Sequence, residues 1–218
     1  RLQDTAAAIV EAGGAAPTVV GCDITDRARV QAAFAEAAAA GGPLTGLVAN
    51  SGVGGPNLPG EDDRWELLIG TNLTGTYHCL RAAQQHLKPG PGLRHLVVIS
   101  SVLGRFGVPG YTGYCAANTG LLGLTRALAH EVAADGVQVN AICPGWVDTA
   151  MAREGIQGMA DAMGISYDQA YAKAMKPVPM GAMSQPEHIA GVVAWLVSDD
   201  AKGMVGQAID VNGGAIML

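Results

Sequence analysis

Short apolar runs alternate with segments of helical period along nearly the whole chain, and this alternation constrains the fold more than any other feature. Apolar residues at helical spacing predict helices near 1 to 13, 26 to 40, 62 to 87, 112 to 134 and 185 to 199. Apolar runs predict strands at 18 to 22, 46 to 50, 94 to 100, 137 to 142 and 206 to 211, with a long excursion from Thr149 to Met183 before the last helix. Strands separated by helices pair in parallel, so the expected architecture is α/β, a doubly wound parallel sheet. The last helix opens on Ser184-Gln-Pro-Glu187, which reads as a capping box with proline in the first turn. Neither a repeat nor a low-complexity linker divides the chain, although Gly52 to Gly60 reads as an irregular loop. A single domain is expected.

Composition narrows the function classes. Apolar residues make up 49% of the 218 residues and charged residues 15%, ample for one core. A net charge of -6 and the lack of a basic stripe argue against nucleic acid, whose phosphates need neutralising. Runs such as Leu96 to Ile99 and Val192 to Val197 are far short of a membrane span, and no signal peptide opens the chain, so a soluble, cytoplasmic protein is expected. Cys22, Cys79, Cys115 and Cys143 lack metal-ligand or disulfide spacing, and the histidines form no zinc pair, so no metal is expected.

The chemistry-bearing residues gather around one strand end. Leu96 to Ser101 is a buried-strand run closed by two hydroxyls, which puts Ser101 at the carboxyl end. Tyr114 falls in the first turn of the next helix, and residue 118, four positions on, shares its face. A strand end facing a helix start makes a pocket.

The serine thirteen residues before a tyrosine resembles the signature of the classical short-chain dehydrogenase/reductase family, in which a Tyr-x-x-x-Lys motif follows the serine. Here the motif reads Tyr114-Cys-Ala-Ala-Asn118, with asparagine where the family has lysine. The resemblance extends to Cys22-Asp23, Asn50-Ser51-Gly52, Asn72, Pro144-Gly145 with Thr149, and Asp210-Val-Asn-Gly-Gly214. It implies a Rossmann-like fold, NAD or NADP as cofactor, a small carbonyl or alcohol substrate, and a homo-oligomer, dimer or tetramer. By position, Ser101, Tyr114, Asn72 and Asn118 match the catalytic group. Asp23 and Ile24 match the adenine contact, Asn50 and Gly52 the adenosine ribose stretch, and Pro144, Gly145, Val147 and Thr149 the nicotinamide carboxamide stretch. Asp23 also reads as the cap of the helix after Thr25. The excursion from 149 to 183, with six methionines, reads either as a substrate lid or as core lining. With Leu103, Phe106 and Trp146 near by motif position, an apolar or acyl-type ketone is expected over a sugar.

Two departures matter. The family's first strand, glycine-rich turn and first helix hold the cofactor phosphates. Arg1 to Gly13 reads as the family's second helix, so roughly 40 residues of the usual first unit would precede it. The first β-α-β unit is therefore incomplete, strand 18 to 22 has no ladder partner, the edge of 46 to 49 lies open, and the chain reads as a poorly stable fragment. The second departure is chemical. A tyrosine donates a proton near neutrality only if its pKa falls from about 10, and the neutral amide of Asn118 cannot supply the charge that lowers it. Three outcomes are open: a reductase of reduced activity, a silent homologue that binds a ligand or supports an oligomer, or a truncated product that does not fold.

Overall fold

A computed structural model describes residues 2–90 and 92–217; Arg1 of the expected first helix lies outside the described residues. In chain order the elements are α1 (Leu2–Glu11), α2 (Arg27–Gly41), β1 (Gly46–Ala49), α3 (Trp65–Leu68) continuing through a π-helical stretch (Ile69–Gly75) into α4 (Thr76–His86), β2 (Arg94–Ile99), α5 (Thr112–Val132), β3 (Val137–Pro144), α6 (Ala150–Met163), α7 (Tyr167–Met175), α8 (Pro186–Leu196) and β4 (Ala208–Val211). The four strands are parallel in the order β1-β2-β3-β4, with Leu47 beside Leu96, Leu96 beside Val139, and Ala141 beside Ala208.

Alternation along each strand assigns the two faces. Leu96, Val98, Val139, Ala141 and Cys143 meet Leu80, Ala83, Leu121, Leu122 and Leu128 of α4 and α5. Val97 and Ile142 point the other way, onto Leu196, Ile189, Val192 and Val193 from α8 and its flank. Because both faces are covered, β2 is apolar without a break from Leu96 to Ile99, and all of β3 is buried. A separate small core, with Ile156, Ala160, Ala170, Ala174 and Met175, joins α6 to α7.

The expected strand 18 to 22 does not form. Thr18 to Cys22 runs without a bridge, and only Val19 and Val20 reach partial burial. A single extended segment has no regular structure to enter unless another strand supplies its ladder, and no described strand lies beside it. For the same reason β1 is an edge, with Val48 45% exposed, and α1 buries none of its residues. Other boundaries move less. The helix expected from 62 starts at Trp65, β3 runs on to Pro144, and α8 is capped at Gln185 rather than Ser184, whose N–H instead donates to the Trp146 carbonyl.

One buried guanidinium makes all its hydrogen bonds among the described residues to backbone, with only its Nε unpartnered. Arg94, 8% exposed at the start of β2, donates from its guanidinium to the carbonyls of Gly90, Gly92 and Asp135, closing the sheet onto the turn that follows α5. Arg94→Met keeps the bulk but removes three charge-assisted bonds to backbone carbonyls, and should lower unfolding free energy by about 2–3 kcal/mol. Urea unfolding with an unchanged m-value checks this.

Candidate active site

Because all four strands point the same way, their carboxyl ends open at one edge of the sheet. Ser101 leaves β2 in extended conformation, φ -155° and ψ 156°, and its Oγ accepts the Leu103 N–H at 3.1 Å, capping the single 3₁₀ turn Val102–Gly104. That turn lies on α5. A Cβ on Gly104 would come within 3.0 Å of the Asn118 carbonyl oxygen, and Thr119 Oγ1 donates to the Gly104 carbonyl at 3.2 Å. Glycine is thus the residue that lets the serine turn touch the helix carrying Tyr114.

The first turn of α5 lacks a cap from its own chain neighbour, since Tyr111 makes no side-chain cap bond. Asn57 supplies it from the loop after β1. Its Oδ1 accepts the Gly113 N–H at 2.7 Å, while its Nδ2 donates to Thr112 Oγ1 at 3.0 Å and to Asp63 Oδ1 at 3.1 Å. Asn57 was not among the expected site residues, and its place in a glycine- and proline-rich loop gave no periodic signal. Asn57→Ala leaves the buried Gly113 N–H without its acceptor and uncaps the first turn of α5. It should cost about 2 kcal/mol and expose the loop before Tyr114 to limited proteolysis, which gel analysis would read.

Asn72 sits within the π-helical stretch and reaches back to that same loop. Its Oδ1 accepts the Val53 N–H at 2.8 Å and its Nδ2 donates to the Val53 carbonyl at 2.9 Å. Both ends of its amide are therefore spent on the segment that begins at Asn50 and Gly52, which leaves β1 exposed. Widened helical turns of this kind are frequent at functional sites.

Tyr114 is half-buried, and its hydroxyl lies against the side chains of Ser101 and Asn118. Burial pushes its pKa above the usual tyrosine value, and those two contacts only partly offset the rise. The remaining neighbours that act on it, Cys115 and Tyr111, raise it further, and no cation is among them. Asn118, 3% exposed, is already engaged: its Nδ2 donates to the Tyr114 carbonyl at 2.9 Å, and Ser100 Oγ donates to its backbone carbonyl at 3.1 Å and to its Oδ1 at 3.3 Å. The amide is folded back onto its own helix and strand. The nearby guanidinium of Arg105 is committed to β4, with Nε to Asp210 Oδ1 at 3.0 Å, and Nη2 to Asp210 Oδ2 at 3.1 Å and to the Ala208 carbonyl at 2.7 Å. No sequence signal joins residues so far apart.

The other expected site residues fall around this centre. Gly145 crosses β4 closely, its N–H donating to the Val211 carbonyl at 3.0 Å, and a Cβ there would meet Asn212 at 2.9 Å. Pro144 ends β3, Val147 bridges to Ser184, and Thr149 caps α6 by accepting the Ala152 N–H. Asp23 does not cap α2, a role taken by Asp26; its carboxylate instead accepts the N–H and hydroxyl of Thr25, which holds its pKa low. Ile24 packs against α2 and α4, on the open side of Gly75. A cavity of about 190 Å³ runs from Cys22 and Ile24, on either side of Asp23, to Asn50 and Ser51. These exposed amide, hydroxyl and carboxylate groups around an apolar cavity fit the adenosine part of a dinucleotide. The methionines of the excursion divide: Met175 and Met183 are buried and Met159 packs on them, while Met151, Met163 and Met180 are exposed. Met151 spans to the loop after β1, with its sulfur 2.7 Å from where a Cβ on Gly54 would stand.

Among the described residues no cluster of three or more histidine, cysteine or acidic side chains can hold a metal, and no helix is long and apolar enough to cross a membrane.

Residues 1–215 match a protein family described as enoyl-(acyl carrier protein) reductase. The chain is 34% identical to the 3-oxoacyl-(acyl-carrier-protein) reductase FabG of Staphylococcus aureus, over 99% of this chain and 85% of that protein. It is 37% identical to the inactive 2-(S)-hydroxypropyl-CoM dehydrogenase 2 of Xanthobacter autotrophicus, over 92% and 86%. The crystal structure of a variant actinorhodin polyketide ketoreductase with NADPH superimposes with a TM-score of 0.89 at 31% identity, covering 98% of this chain and 83% of that one.

Proposed function

Because this chain belongs to the short-chain dehydrogenase/reductase family, we propose that it is an NAD(P)-dependent ketoreductase whose proton donor, Tyr114, is not activated, so that it interconverts a ketone and a secondary alcohol slowly. The observation that carries this reading is the Tyr114 hydroxyl held between Ser101 and Asn118, with its pKa raised and no cation beside it. The nicotinamide, when bound, supplies or accepts the hydride. Ser101 donates a hydrogen bond to the carbonyl oxygen of the substrate and stabilises charge developing there. Tyr114 gives that oxygen its proton. Its acidity is the weak point, since a general acid works best with a pKa near the working pH.

Asp23 and Ile24 would hold the adenine, Asn50 to Gly52 the adenosine ribose, and Pro144, Gly145, Val147 and Thr149 the carboxamide side. Helices α6 and α7 would serve as the lid. Their exposed Met151, facing Gly54, and the exposed Phe106 favour an apolar or acyl-type ketone.

The same unactivated phenol favours a second reading, a homologue that binds the dinucleotide without turning it over. The test is fluorescence titration of the folded chain with reduced nicotinamide dinucleotides, followed by turnover of a panel of apolar ketones. Binding with slow turnover supports the first reading, binding without turnover supports the second, and no binding by the folded chain sinks both.

A further inference from the structure

Two of the four cysteines line the same cavity. Cys22 is exposed and lies on the segment that forms no strand, whereas Cys79 is buried on α4, and both face the cavity of about 190 Å³ that also touches Ile24, Thr76 and the edge strand β1. The other two are separated from this pair and from each other by position in the fold: Cys115 follows Tyr114 on α5, and Cys143 is sealed inside β3 beneath Arg105 and Asp210. From this arrangement we propose that Cys22 and Cys79 are a redox-responsive thiol pair, which a low-molecular-weight disulfide oxidant closes into a disulfide across the cavity.

The chemistry follows the exposure. The Cys22 thiolate attacks the oxidant's disulfide, forming a mixed disulfide and releasing one thiol. The Cys79 thiol then loses its proton and attacks the Cys22 sulfur, expelling the second thiol. Two protein thiols are oxidised and one oxidant disulfide is reduced to two thiols. Burial pushes the Cys79 thiol up to about 11, and the neighbouring Cys22 adds to the rise, so Cys79 acts as the resolving partner and not the first nucleophile. Closure needs the two Cβ atoms to come within about 4 Å. Closure would carry the Cys22 segment, which belongs to no described strand and whose Gly21 carbonyl accepts from Arg29 Nη2 at 3.5 Å, toward α4. The bond would tie Asp23 and Ile24 to α4. That consequence for the dinucleotide site rests on the function proposed above; the bond itself does not.

The test incubates the whole chain with oxidised glutathione, quenches with an alkylating reagent, and maps the peptides by mass. A Cys22–Cys79 linked peptide is expected, reversed by a reductant, retained in Cys115→Ser and lost in both Cys22→Ser and Cys79→Ser. The linked form should melt roughly 5–10 °C above the reduced form. Circular dichroism confirms that each variant is folded. If Cys22 instead stays as a stable mixed disulfide with glutathione, while Cys79 is alkylated only after denaturation, the pair does not exist. Because this readout needs neither cofactor nor turnover, its failure leaves the proposed activity untouched, and the reverse also holds.

Discussion

Asn118→Lys should raise kcat/KM for ketone reduction near pH 7 by a factor of about a hundred or more. Position 118 is buried, one helical turn from Tyr114, and a lysine there would bring an ammonium to the one hydroxyl that burial holds above its ordinary pKa. A cation beside a phenol favours the phenolate, so the acid becomes stronger at working pH. The substitution releases the Tyr114 carbonyl from the Asn118 Nδ2 and Ser100 Oγ from the Oδ1, while Ser100 keeps its bond to the backbone carbonyl of residue 118, and the freed oxygens can accept from an ammonium. The gain should fall mainly in kcat, because proton transfer belongs to the transition state and not to substrate binding. Steady-state kinetics of the two proteins on one apolar ketone provide the check. A folded variant no faster than the native chain would mean that something other than the missing charge limits the reaction.

The native chain should oxidise secondary alcohols with a rate that climbs about tenfold per pH unit, roughly a thousandfold between pH 7 and pH 10. In this direction Tyr114 must act as a base, so only its phenolate is competent. With the folded pKa above the usual value, that fraction grows in proportion to hydroxide throughout the range, and no plateau appears below pH 10. In Asn118→Lys the same profile should flatten at a much lower pH. A native profile with a plateau near neutrality would place the proton on some other group. Tyr114→Phe, made in both backgrounds, identifies whether the residual rate depends on the phenol at all.

The sequence carried the sheet because its signals are local. Leu96–Ile99 of β2 is a continuous apolar run, the other strands are short and mostly apolar, and α5 and α8 show their buried faces at helical spacing. It also carried Ser101, Tyr114 and Asn118, whose meeting needs only a strand end and the first turn of the following helix. Three kinds of feature were beyond it. The 18 to 22 run has strand composition but lies beside no described strand, and a strand is defined by its partner as much as by its residues. The clamps made by Asn57, Arg94 and Arg105 join loops and strands far apart in the chain, through bonds to backbone that any of several polar residues could have made. Even for Asn118 the residue type reveals the lost charge but not where the amide goes. Its engagement with Ser100 and the Tyr114 carbonyl follows from packing at the strand end.

The account stands on the state of one phenol, and ring-carbon NMR of the chain with isotope-labelled tyrosine measures it directly. Of the five tyrosine signals, the one lost in Tyr114→Phe is followed across pH in the native chain and in Asn118→Lys. The prediction is that Tyr114 stays protonated up to pH 10 in the native chain and titrates about two units lower or more once lysine is present. A native Tyr114 that ionises near neutrality would contradict it, since the tyrosine would then be activated without the family's cation.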